Sequence, residues 1–494
     1  MTNDPKPRPE LNFYRFRQLG NDAILLTVDS GEWCLVSPRE FALLKAGRFA
    51  DDRELTEKLL GCHVLLTPEN RGEYEAHIRA RWREIFAPPS LHIVVVTPQC
   101  NLRCIYCHAA MRQNERGEMT EAVASEVIDK ILAASGDALT LEIQGGEPLL
   151  NFEVVKYLVT ETRRRAEPLG KHVDFAIVTN FTNVLTDEKI RFLIENEVSV
   201  STSVDGPRQV HESNRNRVLP RGFDILRERI DAYRRIWREI RDDEPQLSAM
   251  LTATRDVLDK PRETVDAFLE LGFDDLFVRP VNPLGRGARN LPELDYPPEA
   301  FVEYWRQVAD CVIEYRQRGI HISEYHLELL LLKLFFRENG YMDLRFPCGA
   351  SYGQRTYDFD GSVFTCDEGR MIHESLFRIG GRRSTVTELN RSRNGRRAFL
   401  ASLAENNYCE FCACKPFCGV CPILNFKETG HPVAPAFNSR RCRIYRGMID
   451  YVFKKFIADP AAREVLADIA LAGVGDREES GADNRCTDGI NNRL

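Results

Sequence analysis

Along the middle of the chain a short, β-branched apolar run is followed each time by a segment long enough for a helix. The runs fall at residues 91–97, 139–144, 173–179, 198–204, 247–252 and 276–279. Between the first two, Val123, Val127, Ile128, Ile131 and Leu132 lie on one stripe of a 3.6-residue period. Runs that are apolar throughout suit strands covered on both faces. The pattern therefore predicts an α/β fold whose six parallel strands curl toward a partial (β/α)6 barrel. Such folds gather ligands at the C-terminal ends of their strands, so the residues after each run are the candidates for chemistry.

Upstream, residues 23–27 and 32–36 flank Asp29-Ser30-Gly31 and predict a β-hairpin. Ser37, Pro38 and Glu40 then offer an N-cap, a first-turn proline and the acid of a capping box. Phe41, Leu43 and Leu44 begin the helix that follows. Cys34 and Cys62 are expected as buried apolar residues of this small unit. Downstream, residues 296–340 predict a helical bridge that contains Cys311 and turns Leu327, Leu329, Leu330, Leu331 and Leu332 toward the barrel. From about Gly473 the chain becomes polar and glycine-rich, which predicts a disordered tail whose Cys486 is no ligand candidate.

Composition narrows the class. Over 494 residues, 43% hydrophobic and 29% charged content are those of a soluble globular protein. No apolar segment reaches membrane length, and the polar start MTNDPKPRPE is unlike a signal peptide, so a cytoplasmic location is expected, with no membrane partner. A net charge of −7 argues against a nucleic-acid surface. The basic clusters Arg163-Arg164-Arg165 and Arg440-Arg441 are read as solvated helix faces. Fifteen cysteines in a cytosolic chain point to metal or redox work rather than disulfides.

Their spacing says more. Cys100, Cys104 and Cys107 form C-x3-C-x2-C just after the first run. Three thiolates on one loop can hold three irons of a four-iron cubane and leave the fourth iron open. Zinc or plain buried thiols are the competing readings, but zinc knuckles usually show C-x2-C pairs. Gly145-Gly146-Glu147-Pro148 ends the second run, where paired glycines let a ligand approach the backbone. Asn180 follows the third run and Ser203 stands at the end of the fourth, polar groups able to meet ribose hydroxyls; Arg215 could pair with a carboxylate. Taken singly, each is ordinary loop chemistry. Near the C-terminus come Cys348, Cys366 followed by Asp367, then Cys409, Cys412, Cys418 and Cys421, and finally Cys442, with Cys414 among them. Structural zinc is the alternative for this second group.

The cysteine loop with Tyr106 before its last thiol, the Gly-Gly-Glu-Pro segment and the six βα units resemble the radical S-adenosylmethionine (radical SAM) enzymes. That resemblance implies that Cys100, Cys104 and Cys107 ligate a [4Fe-4S] cluster whose open iron takes S-adenosylmethionine. Tyr106 would belong to the cofactor site, and Gly145, Gly146 and Glu147 would meet the methionyl amino group. Asn180 and Ser203 would face the ribose, and Arg215 the carboxylate. It implies a 5′-deoxyadenosyl radical that takes hydrogen from unactivated carbon, and an electron donor such as flavodoxin or ferredoxin.

The later cysteines resemble the SPASM extension of peptide-modifying radical enzymes, with two residues rather than three between Cys418 and Cys421. By that resemblance Cys409, Cys412, Cys418 and Cys442 surround one auxiliary [4Fe-4S] cluster. Cys348, Cys366 and Cys421 surround another that lacks an obvious fourth thiolate, with Cys414 a possible exchange ligand. Asp367 stands where sulfatase-maturing members keep a catalytic base; a turn cap is its other reading. The N-terminal unit resembles winged-helix peptide-recognition domains, which would add a leader peptide at a sheet edge. The wording around residues 89–97, 365–371 and 416–422 is similar to the maturases of the His-Xaa-Ser system, the type called HxsB. It implies a ribosomally made precursor peptide as substrate, beside a second radical SAM maturase. The organisation expected is a recognition unit over 1–87, the barrel over 88–295, the bridge over 296–347, the SPASM-type domain over 348–455 and a helix with tail over 456–494. A sulfatase-type maturase oxidising Cys or Ser, and a zinc-scaffolded peptide-binding adaptor, are the alternatives.

Overall fold

A computed structural model describes residues 8–109, 117–215, 218–337, 342–372, 375–435, 437 and 439–478. The N-terminal unit opens with β1 (Glu10–Leu11), β2 (Arg15–Leu19), β3 (Ala23–Thr27) and β4 (Trp33–Val36). Strands β2, β3 and β4 form an antiparallel sheet in that order, so the expected hairpin is present with one further strand at its side. Helix α1 (Pro38–Lys45) starts with the capping box read from the sequence: the Glu40 amide donates to Ser37 Oγ, and the Ser37 amide to the Glu40 carboxylate. Helix α2 (Arg53–Gly61) is capped by Asp52. Strand β5 (Leu65–Leu66) pairs with β1, and α3 (Pro68–Phe86) follows.

Strand β3 packs in two directions. Ile24, Leu26 and Val28 enter a small core shared with Leu44, Leu55 and Leu59, whereas Leu25 faces the main core with Leu19 and Trp33. Cys34 and Cys62 are buried as expected, in the small core, with their sulfurs 2.8 Å apart. The unit is fastened to the C-terminal region by polar bonds as well. Trp33 Nε1 donates to the Leu334 carbonyl at 2.8 Å, and Thr27 Oγ1 to that of Ala413 at 3.0 Å. Arg15 is fully buried between Asp29 and Glu410.

The six expected strands are all present. They are β6 (Leu91–Val95), β7 (Ala138–Gln144), β8 (His172–Val178), β9 (Val198–Ser203), β10 (Ser248–Ala253) and β11 (Asp275–Pro280), paired in parallel in chain order. Helices α4 (Glu121–Ala134), α5 (Phe152–Ala166), α6 (Asp187–Glu195), α7 (Arg208–Arg215), α8 (Gly222–Ile240) and α9 (Pro261–Glu270) cover them. The stripe foreseen on α4 is its buried face.

The sheet extends past both predicted ends. At one edge β12 (Ser323–Glu324) joins β11 in parallel; at the other β13 (Gln354–Tyr357) joins β6 in parallel, followed by antiparallel β14 (Val363–Phe364) and β15 (Arg378–Gly380). The expected bridge is thus two helices, Pro298–Gln317 with Cys311 buried and Tyr325–Phe336, with β12 just before the second. A last pair of helices, Arg440–Ala458 and Pro460–Glu478, packs behind it. The final helix runs past Gly473, where disorder was expected, because Leu466, Ile469 and Ala470 bury its preceding turns and Gly473 lies close against Glu328. Cys486 and the rest of the tail lie outside the described residues.

Candidate active site

Cys100, Cys104 and Cys107 sit on the loop after β6, as the strand-end rule requires. Distant groups hold the loop in shape: the Ile105 amide donates to the Asn214 carbonyl, Arg286 Nη1 to that of Cys104, and Asn290 Nδ2 to that of Ile105. Gly285, at φ +55°, lets its backbone press on the His108 carbonyl, where a Cβ would overlap, and a Cβ on Gly287 would come within 2.9 Å of the Tyr106 carbonyl. These two glycines were missed in the sequence; only Gly-Arg-Gly after the sixth run hinted at them.

The strand ends then close one cavity of about 550 Å³. The cysteine loop, Gly145, Gly146, Glu147, Asn180, Ser203 and Arg215 all line it, so the residues singled out from separate motifs do converge. Their bonding differs from first expectation. A Cβ on Gly145 would stand 2.6 Å from the Thr97 carbonyl, and one on Gly146 would overlap the Gln99 carbonyl. The glycines are thus required by contact between two strand ends. The amides of Gly146 and Glu147 donate to Thr97 and Gln99 at 2.8 Å. Glu147 is buried and accepts from Thr179 Oγ1, the Asn180 amide and the Leu149 amide, bonds that offset the upward push of burial on its carboxyl. Asn180 Nδ2 donates to Asn101 at 2.8 Å, and Asn180 Oδ1 accepts from Thr182. Tyr106 donates to Asp205 and accepts from Arg215 Nη1 at 2.6 Å, a buried triad beneath the loop.

Burial pushes the Cys100 thiol up to about 12, with Cys104 and Cys107 adding to it, and the Cys104 thiol up to about 11, with Cys107 adding and Arg215 pulling it down. Three such thiols cannot ionise together without a positive charge among them. A thiolate-bound iron cluster supplies that charge, so the donor set fits the group the motif suggests.

The C-terminal region lines the same cavity with Cys348, Cys366, Cys421 and Asp367. Asp367 accepts from Arg370 at 3.1 Å and stands 3.7 Å from His108 Nε2, beside the cysteine loop. Burial alone would raise its carboxyl, but Arg370 and His108 outweigh it and hold it at about 2. A carboxylate held so low is a weak base. Glu142, on β7 in the same cavity, is raised by burial and by Asp367 nearby, and so takes a proton more readily.

A second, smaller cavity is lined by Cys409, Cys412, Cys414, Cys418, Cys421 and Cys442. The Cys414 thiol donates to Cys412, which, with Arg17 and Arg446 near, falls to about 6. Cys414 therefore supports Cys412 by hydrogen bonding. Arg441, read above as a solvated residue, instead lines both cavities and bonds Tyr445 and Asp343. The helix Arg440–Ala458 turns its first turn inward toward the cysteines, which its charge pattern concealed.

Comparison with known proteins shows what this site is similar to. The sequence profile of the radical SAM superfamily matches residues 94–274, the segment that carries the cysteine loop and the strand ends around it. Residues 94–274 are a radical SAM domain. The chain is also 23% identical over 385 residues to a cysteine-type anaerobic sulfatase-maturating enzyme of Clostridium perfringens, covering 75% of this chain and 98% of that one. A serine-type enzyme of Bacteroides thetaiotaomicron is 32% identical over 139 residues, 26% of this chain and 33% of that one. Among solved structures, native anSMEcpe with bound AdoMet superposes with a TM-score of 0.65 at 21% identity, covering 77% of this chain and all of that one. Streptococcus suis SuiB bound to its precursor peptide SuiA superposes with a TM-score of 0.53 at 13% identity, over 86% and 98%. The radical SAM family implies a [4Fe-4S] cluster and S-adenosylmethionine in this domain.

Proposed function

We propose that the chain is a radical SAM maturase that modifies a ribosomally made peptide, of the His-Xaa-Ser repeat type. The observation that carries this reading is the single cavity shared by the Cys100 loop and the wall of Cys348, Cys366, Cys421 and Asp367. It has the volume of a small-ligand site and lies between two sets of thiols. When bound, the cluster and S-adenosylmethionine supply one-electron chemistry that removes hydrogen from unactivated carbon.

The chain's own residues bind and orient. An amino group is a donor, and the Gly146 and Glu147 amides are already spent, so carbonyl oxygens of this turn receive it. Asn180 and Ser203 face the ribose, and Arg215, braced by Tyr106 and Asp205, offers its guanidinium to a carboxylate. Cys409, Cys412, Cys418 and Cys442 would hold one auxiliary cluster, and Cys348, Cys366 and Cys421 another. Glu142 takes the proton lost from the substrate, the electron left behind passes to the cluster that Cys348, Cys366 and Cys421 would hold, and Asp367 positions His108. The leader segment of the peptide docks on the N-terminal unit, where Phe13 and Phe16 are exposed along and before β2. A flavodoxin or ferredoxin donates electrons, and a second maturase works beside it.

Coexpression with the candidate repeat peptide, followed by mass spectrometry, tests this. A loss of two mass units in the peptide, abolished by Cys104→Ala, is expected. A colourless protein that carries only zinc and leaves S-adenosylmethionine intact would overturn it in favour of a peptide-binding adaptor. A second reading, oxidation of a Cys or Ser side chain in a sulfatase, is supported by the alignment that spans 98% of the sulfatase-maturating enzyme. Modification of a sulfatase-derived peptide with the repeat peptide untouched would establish that reading instead.

A further inference from the structure

Away from the cysteines, one cluster among the described residues has the donor set of a metal site: Glu32, His63 and His77. Glu32 directly precedes β4, His63 follows the last turn of α2, and His77 lies on α3, so three separate segments of the N-terminal unit meet there. Their ligand atoms all lie within 4.8 Å of one another. Tetrahedral zinc, with bonds of about 2.0–2.1 Å, separates neighbouring ligand atoms by roughly 3.4 Å. Glu32 and His77 stand closer than this at 2.6 Å and other pairs up to 4.8 Å apart, so side-chain shifts of about 1 Å bring the three onto one ion.

Its hydrogen bonding is incomplete in a telling way. Glu32 and His63 are only 2% and 3% exposed. His77 Nδ1 comes within 2.6 Å of the Glu32 carboxylate and His63 Nδ1 within 3.5 Å. Even so, Nδ1 of both rings and Glu32 Oε1 have no hydrogen-bond partner within the protein, because the approaches lack the alignment a hydrogen bond needs. Buried polar atoms are almost always paired, and three unpaired ones facing a common point are the pattern a cation satisfies.

The surroundings agree. The Nε2 atoms of His63 and His77 lie 3.7 and 3.9 Å from Glu73, a carboxylate behind both rings that favours the proton on Nε2 and the lone pair on Nδ1. Ser30 donates to the other oxygen of Glu32, and Arg337 stands 3.4 Å from Oε1. Glu32 and Glu73 bring two negative charges, of which Arg337 offsets one. His63 is held at φ +58°, where a helix end normally places glycine.

We infer that Glu32, His63 and His77 bind one divalent transition-metal ion, zinc being the best match to two imidazoles and a carboxylate, with water completing the shell on the side where His77 reaches solvent. The ion pins β4, the turn after α2, and α3 together. The inference stands apart from the proposed reaction, since no thiol is in the set.

The test is metal analysis of the anaerobically purified holoenzyme after exposure to zinc and desalting, together with zinc-edge X-ray absorption. The expected result is one tightly held zinc per chain with a nitrogen and oxygen shell at about 2.0–2.1 Å and no sulfur shell at about 2.3 Å. His77→Gln and Glu32→Gln should each lose that zinc with iron content unchanged. Zinc in the wild type no higher than in the variants, or a sulfur shell marking zinc on cysteines, would overturn the inference. Should either substitution unfold the unit, the wild-type absorption spectrum still decides.

Discussion

Two carboxylates in the main cavity are set apart by their neighbours. Asp367 is held at about 2 by Arg370 and His108, whereas burial leaves Glu142 raised. A depressed carboxyl stabilises the fold above its unfolded value near 3.9, and that contribution is lost as pH falls through the folded value of about 2. Asp367→Asn should therefore destabilise the protein by about 2 kcal/mol, the equivalent of a shift of one to two units at about 1.4 kcal/mol each. The deficit should still be present at pH 8, where Asp367 stays ionised against Arg370, as a denaturant titration at that pH would check. Glu142→Gln, by contrast, should leave stability nearly unchanged and slow peptide modification at least tenfold in a single-turnover assay, with S-adenosylmethionine binding retained.

Among the elements, the turn after β7 carries the tightest constraint. A methyl group on Gly146 would collide with the Gln99 carbonyl, one residue before Cys100, and neither backbone can give way cheaply. Gly146→Ala should displace the cysteine loop, cost about 1–3 kcal/mol, and lower the iron held by the radical SAM domain, measured by iron analysis and the visible spectrum. Local signals such as this turn, the capping box of α1 and the six strand runs were legible in the sequence, because each is governed by residues close together in the chain. Strand β2 was not, because Arg15 is buried and Phe16 exposed, the reverse of the usual alternation. Nor was β13, whose Gln354, Arg355 and Thr356 are polar yet all buried. The brace of Tyr106, Asp205 and Arg215 is invisible for another reason: its members lie about a hundred positions apart, and only the folded chain brings Tyr106 to the other two.

At the scale of the whole molecule, the N-terminal unit is held by a few polar bonds as well as by apolar contact. Arg15 has no exposed side chain and bridges Asp29 to Glu410. Arg15→Ala removes one of the two cations on those carboxylates, Lys415 remaining beside both, and should cost about 1–3 kcal/mol, seen as faster amide exchange in β2, β3 and residues 409–415. The ladder between β6 and β13 has a broader consequence. Leu91 to Val94 pair residue by residue with Gln354 to Tyr357, and His92, kept neutral by burial at about 3, lies 3.2 Å from the Tyr357 hydroxyl. One strand leads into Cys100 and the other toward Cys366. The spacing between the two sets of thiols is thus metered by backbone geometry, so anyone grafting the C-terminal region onto another enzyme would have to transplant β6 along with it or leave an open seam through the reaction chamber.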